Sequence, residues 1–120
     1  MSRRFPLDYG GSHLAVVAFP GLQGLEIQMG QLFPTGQLHL SPAAYAAVHH
    51  SGMPLLMFLE RHAQGDWRQM PESDQALNHE AIHTGQPILS VFPDALGSED
   101  LWVETAADRS VTTVYFVGGF

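Results

Sequence analysis

The amino-acid sequence predicts a single α+β domain, residues 1–120, in which an antiparallel sheet packs with three helices. Three observations carry that expectation. Apolar, β-branched runs occupy both ends of the chain, a helical period of apolar residues occupies the middle, and Gly and Pro punctuate the boundaries. At 120 residues and 45% hydrophobic composition, the chain is long enough to bury a core without covalent staples.

Residues 1–12 are polar and Gly-containing and are expected to be loose. "HLAVVAF" (13–19) reads as a strand, "PGLQG" (20–24) ends it, and "LEIQM" (25–29) alternates as a second strand. "GQLFPTGQLHL" (30–40) holds one or two short strands around a Pro34-Thr35-Gly36 turn. The period then changes. In "SPAAYAAVHHSG", Ser41 stands at an N-cap, Pro42 at the first helical position and Gly52 at the stop. A second helix starts at Pro54 and ends near Gly65, with Leu55, Phe58, Leu59 and His62 spaced as one apolar stripe. "PESDQALNHEAIHTG" is a third helix, capped by Ser73 or Asp74 and closed by Gly85. Its core face takes Leu77, Asn78, Ala81 and Ile82, which leaves His79 and His83 toward solvent. "PILSVF" (87–92), "DLWVET" (100–105) and "SVTTVYFV" (110–117) return to strands at the spacing of a three-stranded antiparallel meander.

The formal net charge is −7, and the five cations are all Arg, with none of the clustering that neutralises phosphates. Direct nucleic-acid binding is therefore not expected. Acids scattered at one residue in ten are a thin basis for nucleic-acid mimicry. With no cysteine, disulfides and thiolate metal sites are excluded. The apolar runs are too short to cross a bilayer and nothing resembles an export signal, so a cytoplasmic protein that does not engage membranes is expected.

Residues 79–83, "HEAIH", match the zinc-protease pattern, in which two His one helical turn apart hold the metal and the Glu polarises its water. His79 and His83 would be ligands and Glu80 the base. A catalytic zinc also needs a third protein ligand, and no His follows Gly85. The expected cofactor is accordingly none, with zinc as the alternative. His62 and Asp66 could form a base–acid pair, although a half-buried His62 that fixes the turn by bonding backbone or Asp66 suffices. Ser90, Ser110, Thr112 and Thr113 lie in or beside strands, outside any G-x-S-x-G elbow. His49 and His50 suit the end of the first helix. Trp67 and Trp102 read as core anchors or as a partner hot spot. Asp108 and Arg109 of "ADRS" can pair within a polar turn or face a partner.

From Gly36 onward the chain resembles a family of small uncharacterised proteins associated with plasmids, phages and other mobile elements. The resemblance rests on "GQL…SPAAYAAV", "FLERHAQGDW", Asp74 to Asn78, "ILSVF" and "LWVETAADRSVTT". It covers about residues 36–117 and is carried chiefly by "RHAQGDW" and "ADRSVTT". In that pattern stand His62, Gly65, Asp66, Trp67, Asn78, Gly85, Trp102, Asp108, Arg109 and Ser110, while the two His of "HEAIH" are not part of it. Residues 1–35 and the ending "VYFVGGF" depart from it, the first as an added N-terminal strand segment. The resemblance implies a mobile-element context and no established activity.

Two functions are expected from these readings. One is a non-enzymatic module that binds a host or defence-system protein, as anti-CRISPR and anti-restriction inhibitors do, with His62, Asp66, Trp67, Trp102, Asp108 and Arg109 as candidate contacts. The other is a zinc-dependent hydrolase using His79, Glu80 and His83. A homodimer through an edge strand at 13–19 or 110–117 is compatible with both.

Overall fold

The change of period at Ser41 is a boundary of secondary structure as well: the backbone leaves a strand at Leu40 and enters a helix at Pro42. The computed structural model describes residues 17–18 and 31–118. Among them the order is β1 (Val17–Ala18), β2 (Gln37–Leu40), α1 (Pro42–Ser51), α2 (Leu55–Ala63), α3 (Glu72–Thr84), β3 (Ile88–Leu96), β4 (Glu99–Thr105) and β5 (Val111–Gly118). The strand expected at 25–29 and most of that at 13–19 lie outside the described residues.

Local chemistry sets the helix ends. The Ser41 hydroxyl accepts the Ala44 N–H at 3.1 Å, and Gly52 closes α1 in the left-handed conformation at φ 67°. α3 begins at Glu72, before either expected cap. Pro71 holds the preceding position with φ −57°, and its carbonyl accepts the N–H groups of Asp74 and Gln75, so Ser73 and Asp74 fall inside the first turn.

The sheet order is β1-β2-β5-β4-β3. β3, β4 and β5 form the expected antiparallel meander. The sheet as a whole is mixed, because β2 pairs with β5 in parallel from Gln37↔Val111 to Leu40↔Val114. This corrects the antiparallel expectation. Strand alternation is the same for both senses of pairing; the direction is set by the long return through three helices and a hairpin, the kind of crossover that parallel neighbours require. β5 consequently lies inside the sheet, between β2 and β4, so residues 110–117 offer no edge for a dimer.

One face of the sheet takes Leu38, Leu40, Phe92, Leu101, Val103 and Val114 into a cluster with Ala44, Ala47, Leu55, Phe58 and Leu59 of α1 and α2. A second cluster gathers Phe33, Trp67, Met70, Ala81 and Ile88 beneath α3. The stripe Leu55, Phe58, Leu59 and His62 is buried throughout, as its spacing requires.

Gly36 marks the start of the parallel pairing. It sits at φ 66°, and a Cβ there would fall 2.3 Å from the Ser110 carbonyl oxygen, while the Gln37 N–H donates to that same oxygen at 2.9 Å. Only glycine lets the "GQL" and "ADRS" segments approach so closely. Gly36→Ala is expected to cost about 2–4 kcal/mol, combining backbone strain with the clash. Chemical denaturation checks this; a loss below about 1 kcal/mol would show that the strands pair without the close approach.

Candidate functional site

His62 ends the buried stripe of α2, and the helix turns its ring into the interior, where it is fully enclosed. The ring meets Phe33 edge-on at 5.2 Å, so it stands where α2's cluster adjoins the one beneath α3. Nδ1 lies 2.6 Å from Ser90 Oγ on β3, and Nε2 lies 2.8 Å from Thr105 Oγ1 on β4. The contacts continue in both directions. Trp67 Nε1 donates to Ser90 Oγ at 2.7 Å. Thr105 Oγ1 lies 2.6 Å from Thr112 Oγ1 on β5, which donates to the Thr35 carbonyl at 2.6 Å.

The two ends of this chain fix its polarity. The indole N–H can only donate and the Thr35 carbonyl can only accept. Thr112 spends its single proton on Thr35, so Thr105 must donate to Thr112. Thr105 then accepts from His62 Nε2–H, which leaves Nδ1 to accept from Ser90. The alternative tautomer would leave no proton for the Thr105–Thr112 contact. His62 is therefore neutral and protonated at Nε2. Burial, together with the positive charge of Arg109, lowers its pKa from 6.5 to about 3.

A Ser–His contact can serve nucleophilic catalysis. Here Ser90 and His62 are both fully buried, and the Ser90 oxygen already accepts from Trp67 while its proton is committed to His62. The arrangement joins α2, three strands and the segment before β2; it has no face toward a substrate.

The remaining candidates divide by location. Trp67 is enclosed like His62, and neither reaches the surface. Asp66 does not pair with His62, contrary to the expected turn contact. Its carboxylate meets Arg61 Nε at 3.1 Å and Arg68 Nε at 3.1 Å, because α2 ends before it and Arg61 folds back across Phe92 at 4.9 Å. Trp102 is half-buried on the face of β4 away from α1 and α2, with its ring 6.1 Å from Tyr115 and its buried Nε1 without a hydrogen-bond partner. Asp108 and Arg109 do not pair with each other. Asp108 accepts the Ser110 hydroxyl at 2.6 Å and the Ser110 N–H at 3.0 Å, and these bonds hold its carboxyl below the usual range. Arg109, in the left-handed conformation at φ 63°, donates to the carbonyls of Ala81, Gln86 and Ala106. It thereby covers the carbonyl end of α3, where a cation is favoured, and partial burial lowers its own pKa.

"RHAQGDW" and "ADRSVTT" therefore meet, but through His62, Thr105 and Thr112 in the interior rather than as one surface patch. Sequence reasoning missed Thr105 altogether and missed that Ser90 joins His62. The one available signal was a run of hydroxyl residues on inward strand positions opposite a His on an apolar stripe.

His79, Glu80 and His83 are exposed on α3, as the helical period predicts, and the His79 ring packs against the edge of Trp67 at 5.0 Å. Among the described residues, no group of three His, Cys, Asp or Glu side chains is placed to hold a metal ion. No described helix is long and apolar enough to cross a membrane. Comparison of the chain with protein-family models, curated proteins and solved structures finds no match.

Two outcomes follow from the site. With a folded pKa of about 3 against 6.5, the unfolded chain binds the extra proton in the interval between them. The stability contributed by neutral His62 is thus complete above pH 6.5 and declines as pH falls toward 3, by up to about 1.4 kcal/mol per pH unit. His62→Gln retains one acceptor and one donor without titrating. Denaturation between pH 7 and 5 is expected to show a shallower loss in this variant than in the wild type; equal slopes would refute a buried neutral imidazole. Separately, two exposed imidazoles bind zinc weakly, so zinc added at equimolar concentration is expected to be lost on gel filtration. One zinc retained per chain and abolished by His79→Ala would instead establish a metal centre.

Proposed function

We propose that the protein is a non-enzymatic binding module of a mobile element, acting by covering a surface of a host or defence-system protein as small anti-CRISPR or anti-restriction inhibitors do. The observation that supports this reading is the outer side of α2. Leu56 and Met57 are 49% and 44% exposed in its first turn. Leu32, 47% exposed, is tied to the opposite end by its N–H bond to the Ala63 carbonyl. Single exposed apolar residues are common, but an adjacent pair in the first turn of one helix, with a third held by its backbone at the helix's other end, gives a partner apolar side chains to bury. Exposed Glu60 lies on the same helix, and the chain carries a net charge of −7, which suits an apolar partner surface with a basic rim. The Ser90–His62 contact is turned inward instead, and His62, Ser90, Thr105 and Thr112 have their hydrogen bonds committed.

The test is transformation and plaquing efficiency in hosts with and without active restriction or CRISPR systems. Wild-type protein is expected to raise efficiency in at least one defended host. Leu56→Asp/Met57→Asp is expected to lose at least about tenfold of that effect, the size of a hot-spot loss. Because both side chains are exposed, its Tm is expected to stay within a few degrees of wild type. Protection unchanged in the double variant, or absent in every defended host, would overturn the proposal.

A further inference from the structure

β3 ends the sheet, and a terminal strand turns the N–H and C=O of every second residue away from its neighbour. In β3 these outward residues are Leu89, Val91 and Pro93. Each has a different arrangement. Asn78, fully buried on α3, accepts the Leu89 N–H at Oδ1 over 3.2 Å and donates from Nδ2 to the Leu89 carbonyl over 2.7 Å. Gln69 donates from Nε2 to the Val91 carbonyl at 3.0 Å. Pro93 has no N–H to offer, and the register with β4 breaks between Phe92 and Leu96. The side-chain amide of Asn78 thus makes the paired donor and acceptor bonds that a residue of an adjoining antiparallel strand would make.

The protected segment has the composition of a self-pairing strand. "PILSVF" is apolar, β-rich and uncharged. α3, which lies along it, buries only Asn78 and Ala81 completely. A helix with so small a buried face depends on the polar contacts that dock it, here Asn78 on β3 and Arg109 on its last carbonyls.

We propose that Asn78 and Gln69 form an edge plug: they occupy the positions of an incoming strand's backbone, and without them β3 becomes an association edge for β3 of a second copy of this chain. The pairing would be antiparallel about a two-fold axis, with the same residues contributed by both copies. This inference stands apart from the binding function proposed above, since it concerns the edge of β3 rather than the exposed residues of α2 and needs no external partner.

Asn78→Asp is the first test. It keeps the size of the side chain and places a carboxylate oxygen against the Leu89 carbonyl. Sedimentation velocity over a hundredfold range of protein concentration is expected to show association in this variant beyond that of the wild type. Repulsion between that carboxylate and the Leu89 carbonyl displaces the side chain from both Leu89 groups, so hydrogen exchange is expected to show the Leu89 amide exposed in dilute variant and protected again when concentrated. An acetylated PILSVF peptide flanked by lysines should bind the variant at least about tenfold more tightly than wild type, with a scrambled peptide as control. Should Asn78→Asp fail to fold, Gln69→Ala, a half-buried position that bonds the Val91 carbonyl, decides by sedimentation and peptide binding with smaller shifts. A folded variant that sediments as wild type does, binds no more peptide and keeps Leu89 protected would overturn the proposal.

Discussion

The contact between His62 Nε2 and Thr105 ties the molecule together, because it joins the hydroxyl pair of β4 and β5 to the Ser90–Trp67 side of the same hydrogen-bonded line. A buried imidazole without partners would leave one donor and one acceptor unmet, at a cost of about 1–3 kcal/mol each. Placing Ser90 on β3 and Thr105 on β4 satisfies both, and those hydroxyls in turn need the indole of Trp67 and the hydroxyl of Thr112. The line ends only at the Thr35 carbonyl, beside the Gly36 turn where β2 begins its parallel pairing. One polar chain thus sets α2, three strands and the approach to β2 in mutual register. Such a network specifies a single arrangement in a way that interchangeable apolar contacts do not.

That economy decides what is left for function. Residues that look reactive in the sequence, a His, a Ser and two Thr, are spent on architecture. Arg109 and Asp108 are occupied similarly at the surface: the guanidinium covers the end of α3 and the carboxylate closes its own turn on Ser110. Leu56 and Met57 of α2 are, among the described residues, large apolar side chains that face solvent.

The two sides of the sheet's end also illustrate how polar side chains substitute for backbone. Asn78 and Gln69 give β3 neighbours without adding a strand, and Pro93 removes one donor from the same margin. The amide of Asn78 can make two bonds to one residue because its N–H and C=O stand side by side, whereas in a trans peptide group they point in opposite directions.

By itself the sequence determined the elements: the Ser41 cap, the Gly52 and Gly85 stops, the stripe Leu55 to His62, the outward His79 and His83, and the C-terminal meander. These depend on contacts within a few residues, so spacing and cap chemistry suffice to read them. The tertiary structure alone decided the parallel pairing of β2 with β5, the interior position of β5, the partners of His62, and the edge role of Asn78. Each of these joins residues far apart along the chain, Thr35 to Thr112 and His62 to Thr105 among them. Alternation carries no information about strand direction, and a hydroxyl in a strand is written the same whether it meets water or a buried imidazole. His62 shows the division most plainly: its helical spacing foretold burial, while its separation from Asp66 and its bonds to Ser90 and Thr105 depended on which strands came to lie beneath α2.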